Sequence, residues 1–192
     1  MGRFLENVYD VLFQPGAAMR QIAGQRLYGQ ALAAFLLSVL IPAVAGYYPA
    51  KAAGIGKFYP MLVIIHLVGG LFFWFISSAV LHLIAEFYGG KGSGAGLFAA
   101  TGFAHLPRVF IAPLLVIGMF LPAGAMAIVL GLGALGIMVW VLVLEVSAVK
   151  GAHDLSGAKA ILVILTPLLT VLAALIAMIT FIGTAFLPAW PG

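Results

Sequence analysis

The chain has 192 residues, of which 65% are hydrophobic and only 7% charged, and nine Lys and Arg against five acids leave a net charge of +4. Soluble domains carry roughly 25% charged residues, so a water-soluble fold of this size is excluded: it has too few polar groups to cover its surface. Cysteine is absent, which rules out disulfides, thiolate metal sites and cysteine nucleophiles. No run of basic residues exists for nucleic acid, so the modest positive charge points to an anionic lipid surface.

The first 27 residues read as a cytoplasmic amphipathic segment and residues 28–192 as a membrane domain. Phe4, Leu5, Val8 and Leu12 share one helical stripe, with Arg3, Glu6, Asn7 and Asp10 opposite. Pro15-Gly16 breaks this helix, and a second short turn carries Met19 and Ile22 beside Arg20. Two placements suit the segment equally: in the headgroup plane, or against the ends of the membrane helices.

Five apolar stretches follow, near Tyr28–Tyr47, Pro60–Phe87, Gly94–Leu121, Gly124–Val149 and Ala160–Leu187. Each reaches the roughly 20 residues that cross a hydrocarbon core, so the expected fold is an all-α, polytopic bundle of five transmembrane helices. Ala43-Val44-Ala45 resembles a signal-peptidase site, but the first stretch is longer than a signal-peptide core of about 7–15 residues and reads as a retained span. Turn-forming residues separate the spans at Tyr48–Lys51, Gly54–Lys57, Gly89–Ser93, Leu121–Gly124 and Lys150–Asp154, and Asp154 or Ser156 is placed to cap the last helix.

With the N-terminus inside, the cytoplasmic segments hold Arg3, Arg20, Arg26, Lys91, Lys150 and Lys159, against Lys51 and Lys57 outside. The positive-inside rule selects this orientation. Tyr28 and Tyr88 then mark one interface and Tyr47, Tyr48, Tyr59 and Trp190 the other.

Ionisable residues within spans are costly and mark partners or water. His82 and Glu86 share a face of the second span, His105 and Arg108 are three apart on the third, and Glu145 lies near the end of the fourth. They are expected to form one polar cluster towards the cytoplasmic side, with Lys91, Lys150, His153 and Asp154 in the adjoining loops. One reading is structural, with Arg108 paired to Glu86 or Glu145 to fix helix register. The other makes the cluster a path for a proton, an ion or a small solute. The depth of Arg108 depends on Pro107: a straight third helix puts it near mid-membrane, a broken one nearer the headgroups. His66, near the outer face, reads as a packed or hydrogen-bonded histidine.

Gly131-Leu132-Gly133-Ala134-Leu135-Gly136 matches the dinucleotide fingerprint by letter, but it lies within a span with no βαβ unit around it. Gly90-Lys91-Gly92-Ser93 lacks the order of a phosphate loop and reads as a turn. Small-residue pairs such as Ala127/Gly131, Ala100/Ala104 and Ala173/Ala177 offer faces for close helix packing and for a homo-oligomer. No enzyme, metal or cofactor signature is present, so the expected partners are the lipid bilayer, a second copy of the chain and a protein not identified by the sequence.

Two stretches carry a resemblance. Glu86-Phe87-Tyr88-Gly89-Gly90-Lys91-Gly92-Ser93 leads into Leu97–Pro107, which contains Thr101-Gly102-Phe103-Ala104-His105-Leu106-Pro107, and Glu145–Lys150 is followed by Leu155–Ala160. Together with Phe13-Gln14-Pro15, Met19 and Ile22, these resemble the Yip family, membrane proteins named for interaction with Ypt/Rab GTPases. The resemblance implies a five-span helical domain with a cytosolic N-terminus. It also implies a non-enzymatic role in membrane organisation or trafficking. The Ala/Gly/Leu-rich composition looks prokaryotic, which places the expected location in a cell inner membrane.

Overall fold

The computed structural model describes residues 2–186, and these are almost entirely helical. Helices α1 (Gly2–Phe13) and α2 (Pro15–Gln25) precede α3 (Tyr28–Ala52) and α4 (Tyr59–Phe87). The third span is assembled from α5 (Gly94–Ala104), a 3₁₀ turn (Leu106–Phe110) and α6 (Ile111–Gly118), and α7 (Ala123–His153) and α8 (Gly157–Phe186) complete the chain. Five segments are long and apolar enough to cross a membrane. The expected end of the last span at Leu187, and Trp190, lie outside the described residues.

Helix boundaries follow local chemistry. Pro15 opens α2 where a missing amide costs nothing, and Arg26 closes it in the left-handed conformation (φ 51°). Ser93 caps α5, its hydroxyl accepting the Gly96 N–H at 3.1 Å. Ser156 caps α8 by accepting the Lys159 N–H at 3.4 Å. Asp154 instead ends α7 with φ 54°, and its carboxylate bonds Arg20 at 2.8 Å.

The core is built around α5, whose residues from Gly96 through Ala104 are all buried except Phe98, which is half-buried. Small side chains let α3, α4 and α7 close on it, and Phe35, Trp74 and Phe103 fill the space between. Gly102 is needed there: a Cβ at that position would run into the Trp74 ring and the Ala31 side chain. Trp74 is the hub, stacked on Phe35 at 5.2 Å and on Phe98 at 4.1 Å between ring centroids.

The N-terminal helices pack against the bundle rather than standing apart from it. Met19 and Ile22 of α2 are fully buried against α5 and α7, and Gly151 of α7 comes so near Arg20 that a Cβ there would sit 2.8 Å from its amide nitrogen. α1 places Phe4, Val8 and Val11 on the bundle, with the Phe4 and Phe103 rings 6.2 Å apart. Its second apolar stripe, Leu5, Tyr9 and Phe13, is 59–66% exposed. Leu5 therefore belongs to a different face from Phe4 and Val8.

α8 is the outlier. Its first turns bury Ala160 and Val163 against α4 and α7, but every residue from Leu168 through Ile182 is exposed. Of the small-residue pairs, only Ala100/Ala104 lies in a packed seam; Ala173 and Ala177 face outward, and nothing approaches Gly131.

Candidate functional site

The structure divides the five intramembrane polar residues among three places. At the end of the bundle that carries α1 and α2, His82 and Glu86 of α4 meet His153 of α7. His153 Nδ1 accepts the Gly92 backbone N–H at 3.3 Å, so neutral His153 carries its proton on Nε2. That N–H points at His82 Nδ1, 3.3 Å away, which leaves the His82 proton on Nε2 facing Glu86 Oε1 at 3.6 Å. The result is a directed chain from the α4–α5 loop through two imidazoles to an exposed carboxylate. Lys91 N–H donates to the His153 carbonyl at 3.1 Å, and Lys159 donates to the Tyr88 carbonyl at 2.8 Å, so the loop is held from both sides. No group of three metal-ligating side chains occurs among the described residues. The two imidazoles fasten the loop to α7 and α4.

Lys91 and Lys150 are exposed at this same end. Lys150, Arg20, Gln21, Gly16 and Gly151 border a depression of about 540 Å³ between α2 and α7. Asp154 contributes to it only through the Arg20 pair.

His105 lies elsewhere. It is 5% exposed, with its ring edge-on to Phe35 at 5.4 Å and to Trp74 at 6.4 Å, and its Nδ1 has no hydrogen-bond partner. It belongs to the aromatic core and not to the His82–His153 chain.

Arg108 occupies the third place. Pro107 lacks the amide that would continue α5, and the backbone tightens instead, Arg108 N–H reaching the His105 carbonyl at 3.0 Å. The span is broken but not re-entrant: it continues outward as α6. At 1.5 Å per residue Arg108 lies about 20 Å from the Gly94 end and about 15 Å from the Gly118 end, near mid-membrane. The expected pairing with Glu86 or Glu145 is not formed; the ion pairs among the described residues are Arg20–Asp154 and His82–Glu86. Glu145, half-buried on α7, feels the charge of Arg108 without touching it.

Arg108 faces a cleft of about 600 Å³ between α3, α4 and α6 that runs towards the end of the bundle opposite α1 and α2. His66 lines it too and is exposed, where the sequence suggested a packed or hydrogen-bonded histidine. Ser38 and Tyr59 also border it, but their hydroxyls already donate to the Phe35 and Ala43 carbonyls at 2.7 and 2.9 Å. The remaining walls are apolar, including Val39, Ala43, Leu62 and Leu115.

No curated protein and no solved structure matches the chain. Among protein families, the Yip1 domain matches residues 9–179, from the middle of α1 to the outer half of α8. The matched region takes in the stretches that form the α5 core, the Gly89–Ser93 loop and the α7–α8 junction, and the chain belongs to the Yip1 family.

Proposed function

We propose that the protein is a non-catalytic organiser of the membrane that holds it, a multi-pass protein of a bacterial inner membrane working through its cytoplasmic face. The observation that carries this reading is the Leu5–Tyr9–Phe13 stripe of α1. The helix is fastened to the bundle by its other apolar face, so the exposed stripe is held in a fixed position at the membrane surface, where an amphipathic helix inserts among headgroups. Arg3, Arg20, Arg26, Lys91, Lys150 and Lys159 gather at the same end, which gives that face its attraction for anionic lipid and its cytoplasmic orientation. A protein partner docking on this face is compatible with the same surface.

The test is the shape of vesicles. Proteoliposomes containing phosphatidylglycerol are expected to be remodelled by the wild-type chain relative to empty vesicles, and much less by a Leu5→Ser/Phe13→Ser variant that remains folded. Equal remodelling by the two proteins refutes the reading.

A second reading, transport of a proton, ion or small solute, is favoured by the cleft that reaches Arg108. Against it, the Phe35–Trp74–Phe98 stack and His105 stand between that cleft and the His82–His153 chain. Proton or divalent-cation flux abolished by Glu86→Gln or Arg108→Ala would establish this second reading in place of the first.

A further inference from the structure

A guanidinium at mid-membrane is costly unless something answers its charge. Among the described residues no carboxylate lies within 4 Å of Arg108, and the residue lines an open cleft instead. The cleft supplies little else for an anion. Its two hydroxyls are spent on backbone carbonyls, which leaves Arg108 and the exposed His66 as the donors. A small hydrated anion needs several donors to replace its water, and apolar walls provide none. An anion that carries its own hydrocarbon fits both parts of the site. One acidic group answers the arginine, and the chains lie against Val39, Leu62 and Leu115. The volume of about 600 Å³ lies within the usual range for a small-molecule site.

We propose that the cleft between α3, α4 and α6 is a binding site for an anionic lipid, whose acidic headgroup is drawn below the membrane surface onto Arg108. The site opens towards the end opposite α1 and α2, so its lipid comes from the other leaflet than the one touched by the Leu5–Tyr9–Phe13 stripe. It is independent of the function proposed above. Tyr59, fixed by its bond to the Ala43 carbonyl, stands at the mouth, and Gly46 makes room for it: a Cβ at Gly46 would overlap the Tyr59 hydroxyl. The cleft is thereby kept open by a built contact between α3 and α4.

Native mass spectrometry of the intact protein, released from membranes with phosphatidylglycerol or phosphatidylcholine, tests the site. The wild-type chain is expected to keep one phosphatidylglycerol under conditions that strip phosphatidylcholine. Arg108→Gln should lower that occupancy at least tenfold. Ala43→Leu, which fills the cleft and leaves the arginine in place, should do the same, and it decides the matter alone if Arg108→Gln fails to fold. A Lys51→Gln/Lys57→Gln variant, which removes the exposed cations of the α3–α4 loop, should retain the lipid. Three results would overturn the proposal: equal retention of the two lipids, retention by Ala43→Leu at the wild-type level, or displacement of phosphatidylglycerol by millimolar inorganic phosphate. The last would mark a site for a free anion. An Arg108→Gln/Glu145→Gln variant separates binding from charge balance, since it should recover any lost stability and still not hold the lipid.

Discussion

Thr101 uses every hydrogen-bonding capacity of its hydroxyl. One proton and two lone pairs are available, and four neighbours claim them: Trp74 Nε1 at 3.0 Å, Ser78 Oγ at 2.8 Å, and the Leu97 and Phe98 carbonyls at 3.0 and 3.1 Å. Since the threonine proton is shared between these two carbonyls, both Trp74 and Ser78 must donate. Thr101→Val keeps the shape and strands two buried donors. It is expected to destabilise the protein by about 1 kcal/mol, towards the low end of the soluble range because bilayer hydrogen bonds are worth less in measured cycles. Unfolding in mixed micelles reads this, and Thr101→Val/Trp74→Phe should cost less than the two changes added together. Additive costs would show that the node is not a coupled unit. Gly102→Val is expected to be far worse, because its side chain would have to displace the indole that organises the core.

Helix α2 shows which force fastens the N-terminal segment. Its ion pair, Arg20–Asp154, lies with both side chains mostly exposed, so Arg20→Ala is expected to cost about 1 kcal/mol or less. Met19 and Ile22 are fully buried, and either changed to alanine should cost roughly 2–5 kcal/mol. The two sets of variants, compared by thermal unfolding, distinguish a seat made by packing from one made by charge. Gly151→Leu should unseat α2 altogether and expose the Phe13–Pro15 joint to protease, whereas an unchanged cleavage pattern would refute the close contact. At the neighbouring α4–α5 loop, His153→Ala removes the acceptor of the Gly92 amide and the donor to His82, and a cysteine at Lys91 should then react faster with a water-soluble maleimide.

Across the whole molecule, hydropathy alone was enough to mark five spans, because a stretch of apolar residues long enough to cross lipid has few other stable places. Thr101-Gly102-Phe103-Ala104 was legible as a motif, and the structure shows what it does as a unit: hydrogen-bond node, close approach and core ring follow one another on α5. The polar residues were less legible. His82, Glu86 and His153 meet near one end of the bundle, but His105 and Arg108 lie 11 and 14 residues into the third span and do not join them: His105 turns into the aromatic core, and Arg108, on the 3₁₀ turn, faces the cleft. Spacing along one helix carries no information about such a break, nor about the depth at which another helix presents His66. The absence of cysteine gives a clean background for mapping orientation. Single cysteines at Lys150 or Ser156 should be labelled only after the cell membrane is made permeable, and one at Gly54 in intact cells. The reverse pattern would invert the bundle.

The seat of α2 on the far end of α7 also dictates an order of events during synthesis. Arg20 and Asp154 are 134 residues apart, and the surface that covers Met19 and Ile22 includes Gly151 and its neighbours. At about 5–20 residues per second, the ribosome needs on the order of ten seconds to make that distance. Throughout that interval α1 and α2 have no α7 to rest on, and the nascent chain must shelter their apolar faces at the bilayer surface or with a chaperone. A segment translated well ahead of its seat is therefore among the last to be locked in place.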